Sequence, residues 1–200
     1  MRNVAHELEV EAMSLYYHLD NKEQLLDGMV EVVIEEINEA ANQIPVSSEP
    51  AEWKEAMRKR ILLARDVQLR HPWAPAVIET RTTMSMVAIE YFHGLLELFR
   101  GGGFSYDLAH HAMHALGSRA LGFSQELFNP ESAADPDQVE EETAEMMEQM
   151  AAKFPLLMEM LAEIAHEGPD TTLGWCDDQT EFEFALDVTL NGLDRLLAAE

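Results

Sequence analysis

Apolar residues recur along this chain at three- and four-residue intervals, the period of a helix with one buried face. The longest such segment is Asn21 to Ile44, where Leu25, Leu26, Met29, Val33, Ile37 and Ala40 or Ala41 fall on one side. Asp20 stands where a side-chain oxygen would accept the Glu23 N–H, with the Glu23 carboxylate reaching back. Pro45 ends this helix, and Val46 to Pro50 reads as a linker. Ahead of it, Val4, Ala5 and Leu8 share one face of a short helix, and Glu9 to Ala12 leave room for a turn. Met13, Tyr16 and Tyr17 follow, with Leu15 and Leu19 at i, i+4 as a small buried stripe. Two short helices joined by a tight turn and feeding a capped long helix are the build of a helix-turn-helix. In that motif the second helix lies in the DNA major groove.

The remainder is also periodic. Trp53, Ala56, Met57, Arg60, Ile61, Ala64 and Val67 predict a helix over Ala51 to Arg70, and His71-Pro72-Trp73-Ala74-Pro75 interrupts it. Met84, Val87, Ala88, Tyr91, Leu95 and Leu98 mark a helix from Met84 to Phe99, stopped by Gly101-Gly102-Gly103. Ser105 caps a helix to about Leu127, and Asn129 to Asp135 reads as a loop. Asp135-Pro136-Asp137-Gln138 restarts a helix that Pro155 breaks or re-starts near Phe154. Gly168 to Asp177 is a second loop, and Asp178-Gln179-Thr180-Glu181 opens a final helix to about Ala199. No stretch sustains the period-two alternation of a strand. The expectation is an all-α protein in two parts, a helix-turn-helix region with its connecting helix at 1–44 and a helical-bundle domain at 45–200; the resemblance given below implies that the second is a ligand-binding and dimerisation domain.

Composition narrows the function. A chain of 200 residues with 47% hydrophobic content can bury a sizeable core. No run approaches the roughly 18 apolar residues of a membrane span, and no basic-then-apolar leader is visible. Cys176 stands alone, which excludes an intrachain disulfide or a cysteine-based zinc site; the simplest expectation is a cytoplasmic protein without membrane partners. The net charge of −25 weighs against DNA binding, and the N-terminal region does not reverse it. From Met1 to Ile44 the cations are Arg2 and Lys22, against ten carboxylates.

The run from Met1 to Val10, and then Met13-Ser14-Leu15-Tyr16-Tyr17-His18-Leu19-Asp20-Asn21-Lys22-Glu23-Gln24-Leu25-Leu26-Asp27, resembles the TetR family of one-component bacterial repressors. Glu9 stands where that family usually has a turn glycine, so a strained or altered turn is expected there. The family carries a further helix ahead of this unit, and the chain starts too late to contain it. His71-Pro72-Trp73, the pair Gly103-Phe104, and Phe182-Glu183-Phe184-Ala185-Leu186-Asp187 with Gly192-Leu193 resemble the C-terminal regulatory domain of the tetracycline-repressor branch.

The resemblance implies a homodimeric, ligand-responsive DNA-binding regulator, expected to be a repressor, that a small-molecule effector releases from its operator. Its dimer would form through a four-helix bundle, here about Tyr106 to Leu127 and Glu181 to Ala199 from each subunit. The helix Asn21 to Ile44 would be the lever between reading head and sensor. Ala12, Met13, Ser14, Tyr16, Tyr17 and His18 are the side chains expected to meet bases and backbone, and Lys22 a phosphate. Ligand contact is expected from the helices Ala51 to Arg70 and Met84 to Leu127, with Trp73, Met84, Phe92, His110 and His114 as candidates. His110 and His114 lie at i, i+4, a spacing able to chelate a metal. No third ligand is fixed by spacing, so pocket lining or plain helix surface is preferred, and no metal or cofactor is expected. Cys176 has no nearby His, and no G-x-S-x-G, P-loop or G-x-G-x-x-G occurs, so no enzyme is expected. The alternative is a dimeric small-molecule-binding helical protein with weak or no DNA binding; a helical metal or cofactor binder is third.

Overall fold

A computed structural model describes residues 1–44, 50–122, 149–164 and 178–200. Every regular element among them is helical: α1 (Arg2–Glu7), α2 (Ala12–Leu15), α3 (Lys22–Ala41), α4 (Trp53–Arg70, entered through a 3-10 turn at Pro50–Glu52), α5 (Ala74–Glu79), α6 (Met86–Gly101), α7 (Tyr106–Gly122), α8 (Pro155–Ile164) and α9 (Asp178–Leu197). Of the linker expected over Val46 to Pro50, Pro50 opens the 3-10 turn and the rest lies outside the described residues, as do the expected end of the Ser105 helix near Leu127, the loop at 129–135, the helix restart at 135–138 and the loop at 168–177. Phe154 is non-helical and α8 begins at Pro155, the residue whose missing N–H suits a first turn. Among the described residues no helix is long and apolar enough to cross a membrane.

The chain divides into two compact units, Met1–Ser124 with Thr189–Glu200, and Gln125–Val188. In the second, α8 leaves Leu156 and Met160 exposed, whereas Phe182 and Leu186 of α9 are buried. The first unit is built on α3. Its buried stripe is Val30, Val33, Ile37 and Ala41. Val33 and Ile37 pack into a cluster with Ala64 and Val67 of α4 and Ala74 of α5, flanked by Trp73, Ile78 and Tyr91. Each fully buried Val or Ile of this kind contributes roughly 1.5–3 kcal/mol.

The cap of α3 falls one residue later than the Asp20–Glu23 spacing suggests. Asn21 Oδ1 accepts the Gln24 N–H at 2.9 Å, and Gln24 Oε1 accepts the Asp20 N–H at 2.5 Å. Asp20-x-x-Glu23 and Asn21-x-x-Gln24 both satisfy the reciprocal pattern. The second prevails in a fold that engages Glu23 elsewhere: its carboxylate accepts from Arg81 Nη2 at 2.8 Å. Farther along, Glu36 pairs with Arg70 and with His71 Nε2 (2.9 Å), which holds its carboxyl below the usual range. Asn38 donates to the Val87 carbonyl at 3.1 Å, fastening α3 to α6.

A second knot closes the opposite end of α4 and α6. Trp53 meets Phe104 edge-on at 4.6 Å and Phe99 at 6.1 Å. Gly102 allows this approach: a Cβ there would lie 2.7 Å from Trp53 Cβ and Cγ. Ser105 then caps α7, its hydroxyl accepting the Leu108 N–H at 3.1 Å while donating to Glu200. The glycine run therefore does more than stop a helix. Gly102→Ala should destabilise the fold by about 1–3 kcal/mol through overpacking against Trp53. Gly101→Ala, with nothing within 4 Å of its would-be Cβ, should be neutral or stabilising by up to about 1 kcal/mol. Urea unfolding of the two variants checks the contrast, and equal midpoints would refute it.

Candidate functional site

The reading head is α1, a turn and α2. The turn is a left-handed helix stop. The Val10 N–H reaches back to the Ala5 carbonyl (3.0 Å) and the Glu9 N–H to that of His6 (3.1 Å). Those two bonds require a left-handed residue between Leu8 and Val10, and Glu9 takes that conformation at φ 55°. A glycine would do so freely; Glu carries a penalty of about 1 kcal/mol. The position singled out for its missing glycine is thus the one that carries the strain.

α2 is helical over only four residues, and Tyr16 to His18 continue it as turns. Met13, Ser14, Tyr16, Tyr17 and His18 are exposed, Tyr17 at 89%, and Ala12 is half-buried. Leu15 and Leu19, the residues of the expected stripe, are half-buried between them. Lys22 is exposed as the first residue of α3. The candidate DNA-contacting side chains therefore occupy one continuous segment that hands directly into α3.

A cavity of about 440 Å³ lies between α3, α4, α6 and α7. α3 contributes Val30, Ile34 and Ile37 to it; α4 gives Ile61 and Gln68; α6 gives Ala88, Tyr91, Phe92 and Leu95. Met113 and Leu116 of α7 add to the apolar lining. The connection between α5 and α6 supplies Arg81, Thr82, Thr83 and Met84, and Asp27 and Glu31 of α3 add acidic groups. Such a size and an apolar lining with few polar groups suit a drug-sized ligand. Burial pushes the Tyr91 hydroxyl up to about 12, against the opposing pull of the Arg60 charge. Ser85 Oγ is engaged in capping α6 through the Ala88 N–H (3.2 Å). Arg81 is engaged too, by Glu23 and by Asp27 Oδ1 at 3.0 Å, which raises its pKa further. One side chain thus belongs to both the cavity wall and the first turns of α3.

Of the residues proposed from sequence for ligand contact, Met84 and Phe92 line this cavity. Trp73 instead packs on the α3–α4–α5 cluster, 5.9 Å from His71. His110 and His114 stack edge-on at 4.6 Å on α7, both exposed, and neither lines the cavity. Among the described residues no group of three His, Cys, Asp or Glu is placed to hold a metal. The wall formed by α3 was missed. Val30 and Ile34, lying beside the recognised stripe, broaden the apolar face of that helix and were the available signal.

Residues 45–197 match the family model of the tetracycline-repressor-like C-terminal domain. An HTH-type transcriptional regulator of Saccharopolyspora erythraea is 36% identical over 81 residues, which are 40% of this chain and 32% of that protein. The match thus spans about a third of the curated relative. Among solved structures, the TetR family protein ActR of Streptomyces coelicolor, in complex with actinorhodin, superposes with a TM-score of 0.71 at 23% identity, over 98% of this chain and 87% of that one. TetR from Acinetobacter baumannii AYE superposes with a TM-score of 0.62 at 21% identity, over 98% and 86% of the two chains. At these identities the structural likenesses establish the fold alone, but the domain match spans most of the sequence. The chain belongs to the TetR family of transcriptional regulators.

Proposed function

We propose that this chain represses transcription by binding an operator as a homodimer, and that a small molecule seated between α3, α4, α6 and α7 releases it. It acts in the cytoplasm as a binding protein rather than an enzyme. The observation that carries this reading is Arg81. It lines the cavity and holds Glu23 and Asp27, at the start of the helix that leads directly from the reading head. A ligand that fits one position of the α5–α6 connection better than another would bias α3 through this contact. How far it shifts the equilibrium depends only on its differential affinity for the two positions.

In the head, Ala12, Met13, Ser14, Tyr16, Tyr17 and His18 would meet bases and backbone, and Lys22 a phosphate. In the dimer, α9 would supply its outer face. Phe184, Val188 and Leu196 are exposed at four-residue multiples, with Gly192 between them, opposite the buried Phe182, Leu186, Leu190 and Leu193. α7, with Tyr106 exposed, would be the second helix of each subunit's contribution. A second reading keeps the dimer and the ligand but drops the DNA. It is favoured by the ten carboxylates facing two cations between Met1 and Ile44.

Gel shift with the DNA upstream of the protein's own gene separates the two readings. Retarded complexes are expected at low salt and should weaken as salt rises; their absence even at low salt would leave the second reading. Lys22→Ala should lower affinity evenly across sequences and reduce the slope of log K against log salt by about 0.9. Arg81→Ala should leave the fold intact but raise amide hydrogen exchange across 23–28, with α6 unchanged; unaltered exchange there would remove Arg81 from the coupling. Leu196→Asp should shift the dimer to monomer in sedimentation, and an unchanged dimer would place the interface elsewhere.

A further inference from the structure

Two polar side chains in the cavity wall are left without work. Gln68 of α4 is 7% exposed, and among the described residues its side-chain amide makes no hydrogen bond. Tyr91 of α6 lines the same cavity, and its hydroxyl likewise makes no hydrogen bond among the described residues. Buried amides and hydroxyls are nearly always paired, because an unpaired one forfeits its bonds to water. Other polar groups on the wall differ from them: Ser85 caps α6, Arg81 is held by two carboxylates, and Thr82 and Thr83 are exposed.

The surroundings select what can pair with them. Arg60, 8% exposed, lies against Gly94, where a Cβ would come within 2.6 Å of its Nη1. The guanidinium does not line the cavity, but its positive field reaches the Tyr91 hydroxyl. That field favours a partly negative oxygen beside Tyr91 and opposes a ligand cation. Asp27 and Arg81 offset each other in their ion pair, which leaves Glu31 as the wall charge that opposes an anion. The amide N–H of Gln68 and the O–H of Tyr91 can both donate to an acceptor oxygen.

We propose that the effector is an uncharged, largely apolar molecule that presents a hydrogen-bond acceptor oxygen, of the ketone or amide kind, to Gln68 and Tyr91. This rests on the cavity being the ligand site. It adds a recognition chemistry that cavity shape alone does not supply.

Equilibrium dialysis of the full chain against three probes tests it: fluorene, 9-fluorenone, which adds only a carbonyl, and fluorene-9-carboxylate, which carries a charge. The ketone should bind at least ~10-fold tighter than the hydrocarbon, and the carboxylate no tighter than the hydrocarbon. Gln68→Leu and Tyr91→Phe should each cut the ketone preference, read as the ratio of fluorenone to fluorene affinity within the same variant, to below about threefold. Ligand-free, both variants should melt at or above the wild-type temperature, because each removes an unpaired buried group. If fluorene and fluorenone bind alike, if the carboxylate binds tightest, or if the variants keep the preference, acceptor recognition is wrong while the cavity stands as a binding site. A variant that melts several degrees lower would assign its side chain a structural role and overturn the proposal. Failure of all three probes to bind would overturn the ligand site itself.

Discussion

The close contact of α3 with α4, through Val33 and Ile37 against Ala64, Val67 and Ala74, is the constraint on which the rest of the unit depends. The small residues on the α4–α5 side let the helices approach closely enough for the branched side chains to be buried. A packed interface of this kind does not deform by degrees. It holds one arrangement or moves to another, which suits the lever role proposed for α3. α3 has little freedom in what its faces do. Its buried stripe shares Val30 and Ile37 with the cavity wall, which Ile34 widens, and its first turns continue from the reading head.

Polar contacts then fasten the helix at three points: Arg81 near its start, Glu36 with Arg70 and His71 in its second half, and Asn38 with the Val87 carbonyl. Partly exposed ion pairs contribute little to stability, so these contacts set the register of α3 more than they hold the fold together. The Glu36 clamp has a defined pH sense. Its folded carboxyl titrates below the ordinary value, so its contribution is present above that value and is lost as pH falls through the lowered one. Arg81 differs from the other contacts because it also touches the cavity. Among the three fastenings, it is the one whose environment a bound molecule would change directly.

The periodicity of apolar residues was enough to place α3, α4, α6 and α9, and the start of α7, to within a few residues, since helix formation and burial of one face are local matters. The backbone anomaly was readable too: a glutamate in the turn predicted strain, and Glu9 adopts positive φ. What the sequence did not yield was non-local. The cap of α3 depends on Glu23 being held by Arg81, 58 residues away. Arg60 was visible within an apolar stripe, but nothing along α4 told that Gly94 would make room for it. Gln68 looks like any polar helix residue; that it faces a cavity depends on where α3 and α6 lie. Trp73 and His110 were attractive by residue type, and type alone carries no direction.

The acidic character of the reading head bears on how such a switch would work. Much of the affinity of DNA-binding proteins comes from neutralised phosphates, and this head has few cations for that purpose. Its hold on an operator would rest more on base-edge contacts, which require both heads of a dimer to sit at the correct spacing. Those contacts are sensitive to geometry, whereas phosphate attraction is forgiving of it. If α3 shifts as proposed, a head with little electrostatic affinity would lose a larger share of its binding. Each 1.4 kcal/mol of ligand preference for the shifted state moves the equilibrium about tenfold. With little non-specific affinity to overcome, a modest preference would empty the operator, so a cavity offering a few hydrogen bonds and apolar walls would be sufficient to drive the change.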